Sequence, residues 1–310
     1  MLLSLVCSTL LLVLLLSPGL CFAENNAVAL VYQRDKSFSV TIAQNIADQL
    51  RANNTPTELI AQESVNTSWL SQLPEQTLIV SLGSEATLEL LNQQLNNPML
   101  SLLIPRQSYE GLLKDRKSNN QWSVLFIDQP VNRQLLLIKH LFGQDTTIGT
   151  LLGPYSISEK SLLLRISQQR GLKLNIGEIS NSDQLIPALK TLTQDADVVL
   201  ALPDPVAFNK NTIRGVLLLT YRENIPLIGF SRSYVKAGAI AALFSELEQI
   251  SDQAHNIISR HLATGKFDRT TFYPDDFSIA INRKVARTLD INLKTEDRLI
   301  RLIKKDEKAR

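Results

Sequence analysis

Side chains able to do covalent chemistry are few in this chain and badly spaced for it. The three histidines, His140, His255 and His261, all fall within helical patterns and away from strand ends. None belongs to a His-Glu-x-x-His pair of the kind that holds zinc. Both cysteines, Cys7 and Cys21, lie within the first 23 residues. A nucleophilic serine on a sharp turn needs Gly-x-Ser-x-Gly, and the nearest stretch, Leu82-Gly83-Ser84-Glu85, lacks the second glycine. Gly83 and Ser84 read more simply as a strand stop and a helix cap, although a helix start also offers backbone N–H groups to an anion. With no nucleophile–base pair and no metal cluster legible, an enzyme is the last of the readings, and no cofactor is expected.

Binding chemistry is better represented. Polar loops follow the apolar runs at Tyr32 to Lys36, Gly83-Ser84 and Asp128-Gln129-Pro130. They recur at Gly153-Pro154-Tyr155, Pro203-Asp204-Pro205 and Ser231-Arg232-Ser233-Tyr234. Open α/β sheets place their ligands at the carboxyl ends of strands, so these loops are expected to line one cleft. The candidate ligand contacts are Tyr32, Gly83, Ser84, Arg106, Asp128, Gln129, Tyr155, Asp204, Ser231, Arg232 and Tyr234. Arg106 and Arg232 favour a carboxylate or phosphate, because a guanidinium meets a planar anion through two parallel hydrogen bonds. Asp204 suits an ammonium.

The elements that must position these loops have the same grammar in each half. Ala27–Tyr32, Glu58–Ala61, Thr77–Ser81, Met99–Ile104 and Ser123–Ile127 read as strands, with helices at Phe38–Leu50, Glu85–Leu91 and Val131–Phe142. Arg106 to Asn120 is polar and reads as a surface loop. The pattern restarts with strands at Ile148–Leu152, Leu172–Ile176, Asp197–Ala201 and Pro226–Phe230. Between them lie helices at Ser158–Gln169, Asp183–Leu192 and Phe208–Thr220. Strands that are apolar throughout and alternate with helices imply parallel sheets covered on both faces.

The expected organisation is therefore α/β, with two Rossmann-like lobes joined by a hinge. Residues 24–143 form the first lobe and 144–265 the second. A late return near 266–291 rejoins the first lobe, and a charged tail spans 292–310. The tail is expected to be a frayed or surface helix, with Leu299, Ile300, Leu302 and Ile303 available to dock on a lobe.

Residues 1–23 read as a secretory signal, apolar from Met1 to Leu16 and ending Cys21-Phe22-Ala23, with cleavage expected after Ala23. An uncleaved N-terminal anchor is the alternative, since this segment carries no Lys or Arg. Cleavage leaves 287 residues with no cysteine, and the formal net charge of +2 is unchanged. The mixed 32 basic and 30 acidic residues give no case for nucleic acid. A periplasmic monomer is expected.

Several stretches carry a family resemblance: Asp128-Gln129-Pro130-Val131-x-Arg133-Gln134, the strand and loop from Asp197 to Pro205, and Ile225-Pro226-Leu227-Ile228-Gly229-Phe230. Others are Val235-Lys236-Ala237-Gly238-Ala239, His261-Leu262-Ala263-Thr264-Gly265-Lys266 and Ile281-Asn282-Arg283-Lys284-Val285-Ala286. Over about residues 27–291 the chain resembles the periplasmic substrate-binding proteins of ABC transporters with the type I periplasmic-binding fold. The likeness is to the branch with tryptophan- and tyrosine-binding members. It implies capture of a small polar or aromatic solute, amino-acid-like or anionic, between two lobes and delivery to a membrane permease. Where amino-acid-binding members carry an acidic residue after the strand matching Pro226–Phe230, this chain has Ser231-Arg232-Ser233-Tyr234. That departure, with the charged tail, leaves open a sensor that docks on the periplasmic domain of a membrane receptor.

Overall fold

The structure is a computed structural model, and it describes residues 27–93, 95–116 and 119–308. The expected signal segment lies outside the described residues.

Apolar runs of the first half form β1 (Val28–Tyr32), β2 (Thr57–Ala61), β3 (Leu78–Leu82), β4 (Met99–Ile104) and β5 (Trp122–Phe126). They are separated by α1 (Ser37–Ala52), α2 (Thr67–Gln72), α3 (Ser84–Asn92) and α4 (Arg106–Leu113). The second half runs α5 (Val131–Phe142), β6 (Thr147–Leu152), α6 (Lys160–Arg170), β7 (Lys173–Glu178) and α7 (Leu185–Leu192). It continues with β8 (Val198–Leu200), α8 (Ile213–Arg222), β9 (Leu227–Gly229), α9 (Arg232–Ala237) and β10 (Ala241–Phe244). The chain closes with α10 (Leu247–Thr264), β11 (Thr271–Phe272), β12 (Ser278–Ile281), α11 (Arg283–Thr288) and α12 (Glu296–Lys308).

Two six-stranded sheets result, ordered β11-β5-β4-β3-β1-β2 and β12-β10-β9-β8-β6-β7. All pairings are parallel except β10 with β12. β3 and β4 are buried at every position, which is why they read as continuous apolar runs rather than alternating ones.

Packing divides the chain differently from its sequence pattern. The sequence assigns Val131–Phe142 to the first lobe, but Leu135, Leu137, Ile138 and Leu141 of α5 enter the core of the second sheet. The expected second lobe, 144–265, also takes in residues 251–262, but Ile250, Ala254, Ile257 and Ile258 of α10 join Ile42, Ile46 and Leu50 of α1 in the first core. The return crossing is shorter than 266–291: β11 completes the first sheet, while β12 already belongs to the second. A helical pattern shows which face is apolar but not which sheet that face covers.

The chain thus passes between lobes near residues 127–130, 245–246 and 273–277. Side chains tie the three passages together. Gln129 Nε2 donates to Ser245 Oγ at 2.7 Å, and Ser245 Oγ donates to the Asp276 carbonyl at 2.7 Å. Arg133 Nη1 donates to Gln129 Oε1 at 2.7 Å and to the Pro274 carbonyl at 2.9 Å. Its Nε donates to Glu307 Oε1 of α12 at 2.9 Å.

The charged tail is therefore a docked helix. Leu299 and Ile303 of α12 are fully buried in the second core. Three of its acidic side chains meet other elements: Glu296 pairs with Arg283, Glu307 pairs with Arg133, and Asp306 lies 3.2 Å from His140 Nε2.

The expected surface loop at 106–120 also differs. Its first part is α4, whose Tyr109, Leu112 and Leu113 share one helical face and pack against Ile104, Val124 and Phe126. Just before it, Leu103 takes a left-handed φ of 57° where the β4–β5 register shifts. This irregularity turns the chain out of the sheet into Pro105 and α4, a device common beside binding sites.

Candidate functional site

Between the lobes lies a cleft of about 270 Å³. The first-lobe wall is the start of α4, with Pro105, Gln107 and Ser108, together with Asp128 and Gln129 of the passage. The second-lobe wall is Tyr155, Ser156 and Glu159 after β6, and Leu202 to Pro205 with Phe208 after β8. Val131 and Gln134 of α5 and Phe230 after β9 close it. Each wall stands at carboxyl ends of parallel strands, where the amide ends of following helices and irregular loops are free of the ladder.

Asp204 organises the second-lobe wall. It is 2% exposed, and its carboxylate accepts five hydrogen bonds. Oδ2 takes the N–H groups of Tyr155 at 3.1 Å and Ser156 at 2.8 Å, and the Ser156 hydroxyl at 2.8 Å. Oδ1 takes the N–H groups of Val206 at 2.8 Å and Ala207 at 3.1 Å. The close approach requires Gly153, where a Cβ would stand 2.5 Å from Oδ1. This carboxylate, expected to suit a ligand ammonium, is occupied by the protein's own donors.

Asp128 and Glu159 face the cleft from opposite lobes. Asp128 accepts the backbone N–H of Arg106, the first residue of α4. Burial between the lobes pushes its carboxyl up to about 6; the charge of Glu159 adds to this, and the Arg106 N–H and guanidinium oppose it. Glu159 accepts from Arg106 Nη2, an ion pair that reaches across the cleft mouth. Its second oxygen is shielded from solvent and has no donor among the described residues. No Arg, Lys or His is among the described residues that line the cleft. The cleft is acidic, with apolar walls from Phe208, Phe230, Leu202 and Val131.

The raised carboxyl of Asp128 has a consequence for stability. The folded state holds this proton more tightly than the unfolded chain, whose carboxyl titrates near 3.8, so stability falls as pH rises from about 4 to about 6. Above that window the ionised, poorly solvated group costs about 2 kcal/mol, allowing for its partial contact with solvent. Asp128→Asn keeps an acceptor for the Arg106 N–H and is expected to stabilise the empty protein by that amount at pH 7.5, and by little at pH 4. Urea unfolding at the two pH values measures it. An equal gain at both would show that titration is not the cause.

Of the residues expected to contact ligand, the structure brings Asp128, Gln129, Tyr155 and Asp204 to the cleft. The others are placed elsewhere. Tyr32 packs on the first core. Gly83, with φ of 99°, lies against Gln33, and Ser84 begins α3 rather than capping it. Arg106 is neutralised by Glu159 and by Glu110, 2.8 Å away, so it is not a free anion-binding group in the cleft. Arg232 is exposed and pairs with Glu246, lying 5.2 Å over the Phe244 ring. Ser231 precedes α9, and buried Tyr234 sits behind Phe230 with ring centroids 4.5 Å apart. Glu159, Phe208 and Phe230 are among the cleft residues that the loop pattern did not single out. Glu159 was hidden because it lies past an expected helix cap.

Residues 74–304 match the family model described as ABC transporter substrate binding protein. The chain belongs to this family. No curated protein gives a match. Among solved structures, this substrate-binding protein is similar to a ligand-free, open substrate-binding protein with adhesive properties from Clostridium difficile. That pair has 15% identity and a TM-score of 0.70, covering 88% of this chain and 97% of the other. A conserved domain protein from Vibrio cholerae is 20% identical, with a TM-score of 0.59, covering 87% and 96%. A protein from Streptococcus pneumonia in complex with L-Trp is 18% identical, with a TM-score of 0.57, covering 86% and 96%. These likenesses show the type I periplasmic-binding fold, as the sequence resemblance implied, and at such identities they show the fold alone.

Proposed function

We propose that this protein captures a small organic cation with a flat apolar body between its lobes and hands it to the membrane permease of an ABC transporter. The observation that carries this reading is the acidic cleft. Asp128 and Glu159 approach it from opposite lobes, Phe208 and Phe230 supply apolar walls, and no basic side chain lines it among the described residues. A cation held between the two carboxylates binds both lobes at once, which is how a hinged protein gains stability from closing. The earlier expectation of an anionic solute rested on Arg106 and Arg232, and both guanidiniums are paired with carboxylates of the chain itself.

Residues 1–23 serve in this reading as the export signal, and the mature protein works in the periplasm as a monomer. The receptor-docking alternative drew on the tail beyond Asn292. With α12 seated in the second core, the cleft is the feature that needs a purpose, and uptake is the reading we take.

Thermal melting of residues 24–310 against tryptamine, benzylamine, L-tryptophan, indole-3-acetate, nucleosides and inorganic phosphate tests it. A ligand at a hundred times its dissociation constant adds about 2.7 kcal/mol. We expect the ammonium-bearing aromatics to raise the melting temperature, and Glu159→Gln to abolish the shift while leaving the empty protein folded. Below about pH 6 protonation of Asp128 competes with the ligand's charge, so the shift should shrink. A response confined to anions, or one unchanged in Glu159→Gln, would overturn the assignment.

A further inference from the structure

On the side of α4 away from the cleft is a larger cavity, of about 570 Å³, within the range of small-molecule sites. We propose that it is a second binding site, for a planar aromatic carboxylate.

Four aromatic side chains wall it: Tyr109 of α4, Trp122 and Phe126 of β5, and Tyr273 just after β11. The rings of Tyr109 and Tyr273 meet Phe126 edge-on, with centroids 6.0 and 5.2 Å away. Such a box presents apolar faces to a flat ring. Tyr109 is only 5% exposed, and it lines the cavity together with Tyr273. Burial pushes both phenols up to about 12, so they remain protonated donors.

The charges have the sign opposite to the cleft. Among the described residues, Arg106, Lys114 and Arg116 line the cavity with Glu110 as the one carboxylate. Arg106 is shared between Glu110 and Glu159. Arg116 is held in place by the carbonyls of Leu91 and Leu112 and by Asn92, acceptors that leave its charge uncancelled. Lys114 is exposed and has no ion pair among the described residues. Two phenol donors and an excess of cations around apolar ring faces are the complement of a carboxylate on an aromatic ring. A protonated amine meets the wrong charge here.

Trp122 lines this cavity and not the cleft, and it is one of only two tryptophans, the other being Trp69. In the Trp69→Phe protein, Trp122 is therefore the sole indole reporter. We expect its fluorescence to change saturably with benzoate or phenylacetate at concentrations up to about 10 mM, the regime of fragment-sized ligands. Benzylamine should give no such change. Lys114→Glu, a substitution at an exposed position, should weaken the response about tenfold. Should Trp69→Phe fail to fold, the two fluorine signals of the 5-fluorotryptophan-labelled unsubstituted chain report on the same titration. No saturable response to either carboxylate, an equal response to benzylamine, or full affinity in Lys114→Glu would each overturn the second site.

Discussion

Arg133→Met is expected to cost about 3–5 kcal/mol of stability, the range seen when one partner of a buried charge pair is removed. The side chain is 8% exposed, and three acceptors depend on it: Gln129 Oε1, the Pro274 carbonyl and Glu307 Oε1. Its guanidinium also lies 4.5 Å over the Phe277 ring. Methionine fills much of the volume but leaves the Glu307 carboxylate and a carbonyl with no donor. Arg133→Lys should restore little, because one ammonium cannot span acceptors arranged around a planar fork. Gln129 and Pro274 belong to two different passages between the lobes and Glu307 to α12, so the loss should also loosen the angle between lobes. Urea unfolding reads the first effect and solution scattering the second. Glu307→Gln removes one charge yet keeps an acceptor and should cost about 1 kcal/mol. If the two substitutions cost the same, Arg133 is not the organising member.

Asp204→Ala should be almost as damaging, at about 4 kcal/mol, because it orphans buried donors on two loops at once. Three of the lost bonds hold Tyr155 and Ser156, and two hold the turn from Val206 to Phe208. Asp204→Asn preserves the shape but keeps one acceptor oxygen. Either the Ser156 side or the Ala207 side then faces an NH₂ group, and about 2 kcal/mol is expected. Both substitutions should lower stability and ligand binding together, since the wall itself is lost. A variant that melts normally but fails to bind would instead make Asp204 a direct ligand contact. Melting curves with and without tryptamine separate the two outcomes.

Much of the architecture is legible in the chain because its signals are local. Leu78 to Leu82 and Met99 to Ile104 are apolar at nearly every position, as strands buried on both faces must be. Gly171 ends α6 with a φ of 64°, a left-handed cap that glycine adopts without cost. The loops at Asp128-Gln129, Tyr155 and Asp204 were expected in the cleft because strand-end polarity is also a local property.

Other features resisted reading because they rest on partners far along the chain. The helix α4 has only one buried residue, Tyr109, so its composition looks like a loop. The docking of α12 depends on ion pairs to Arg133 and Arg283, neither of them within ten residues of the helix.

What the sequence by itself determined is the type of most elements, the two α/β halves and three of the loops that line the cleft. Periodicity, caps and turn residues act over a few positions and are written in residue order. Only the tertiary structure decided the sign of the cleft. Arg106 and Arg232 look like anion-binding residues until Glu159 and Glu246 are seen beside them. Asp204 looks like a free carboxylate until five donors surround it. Whether a charge is available to a ligand depends on which of the protein's own groups reach it first, and that is a property of packing.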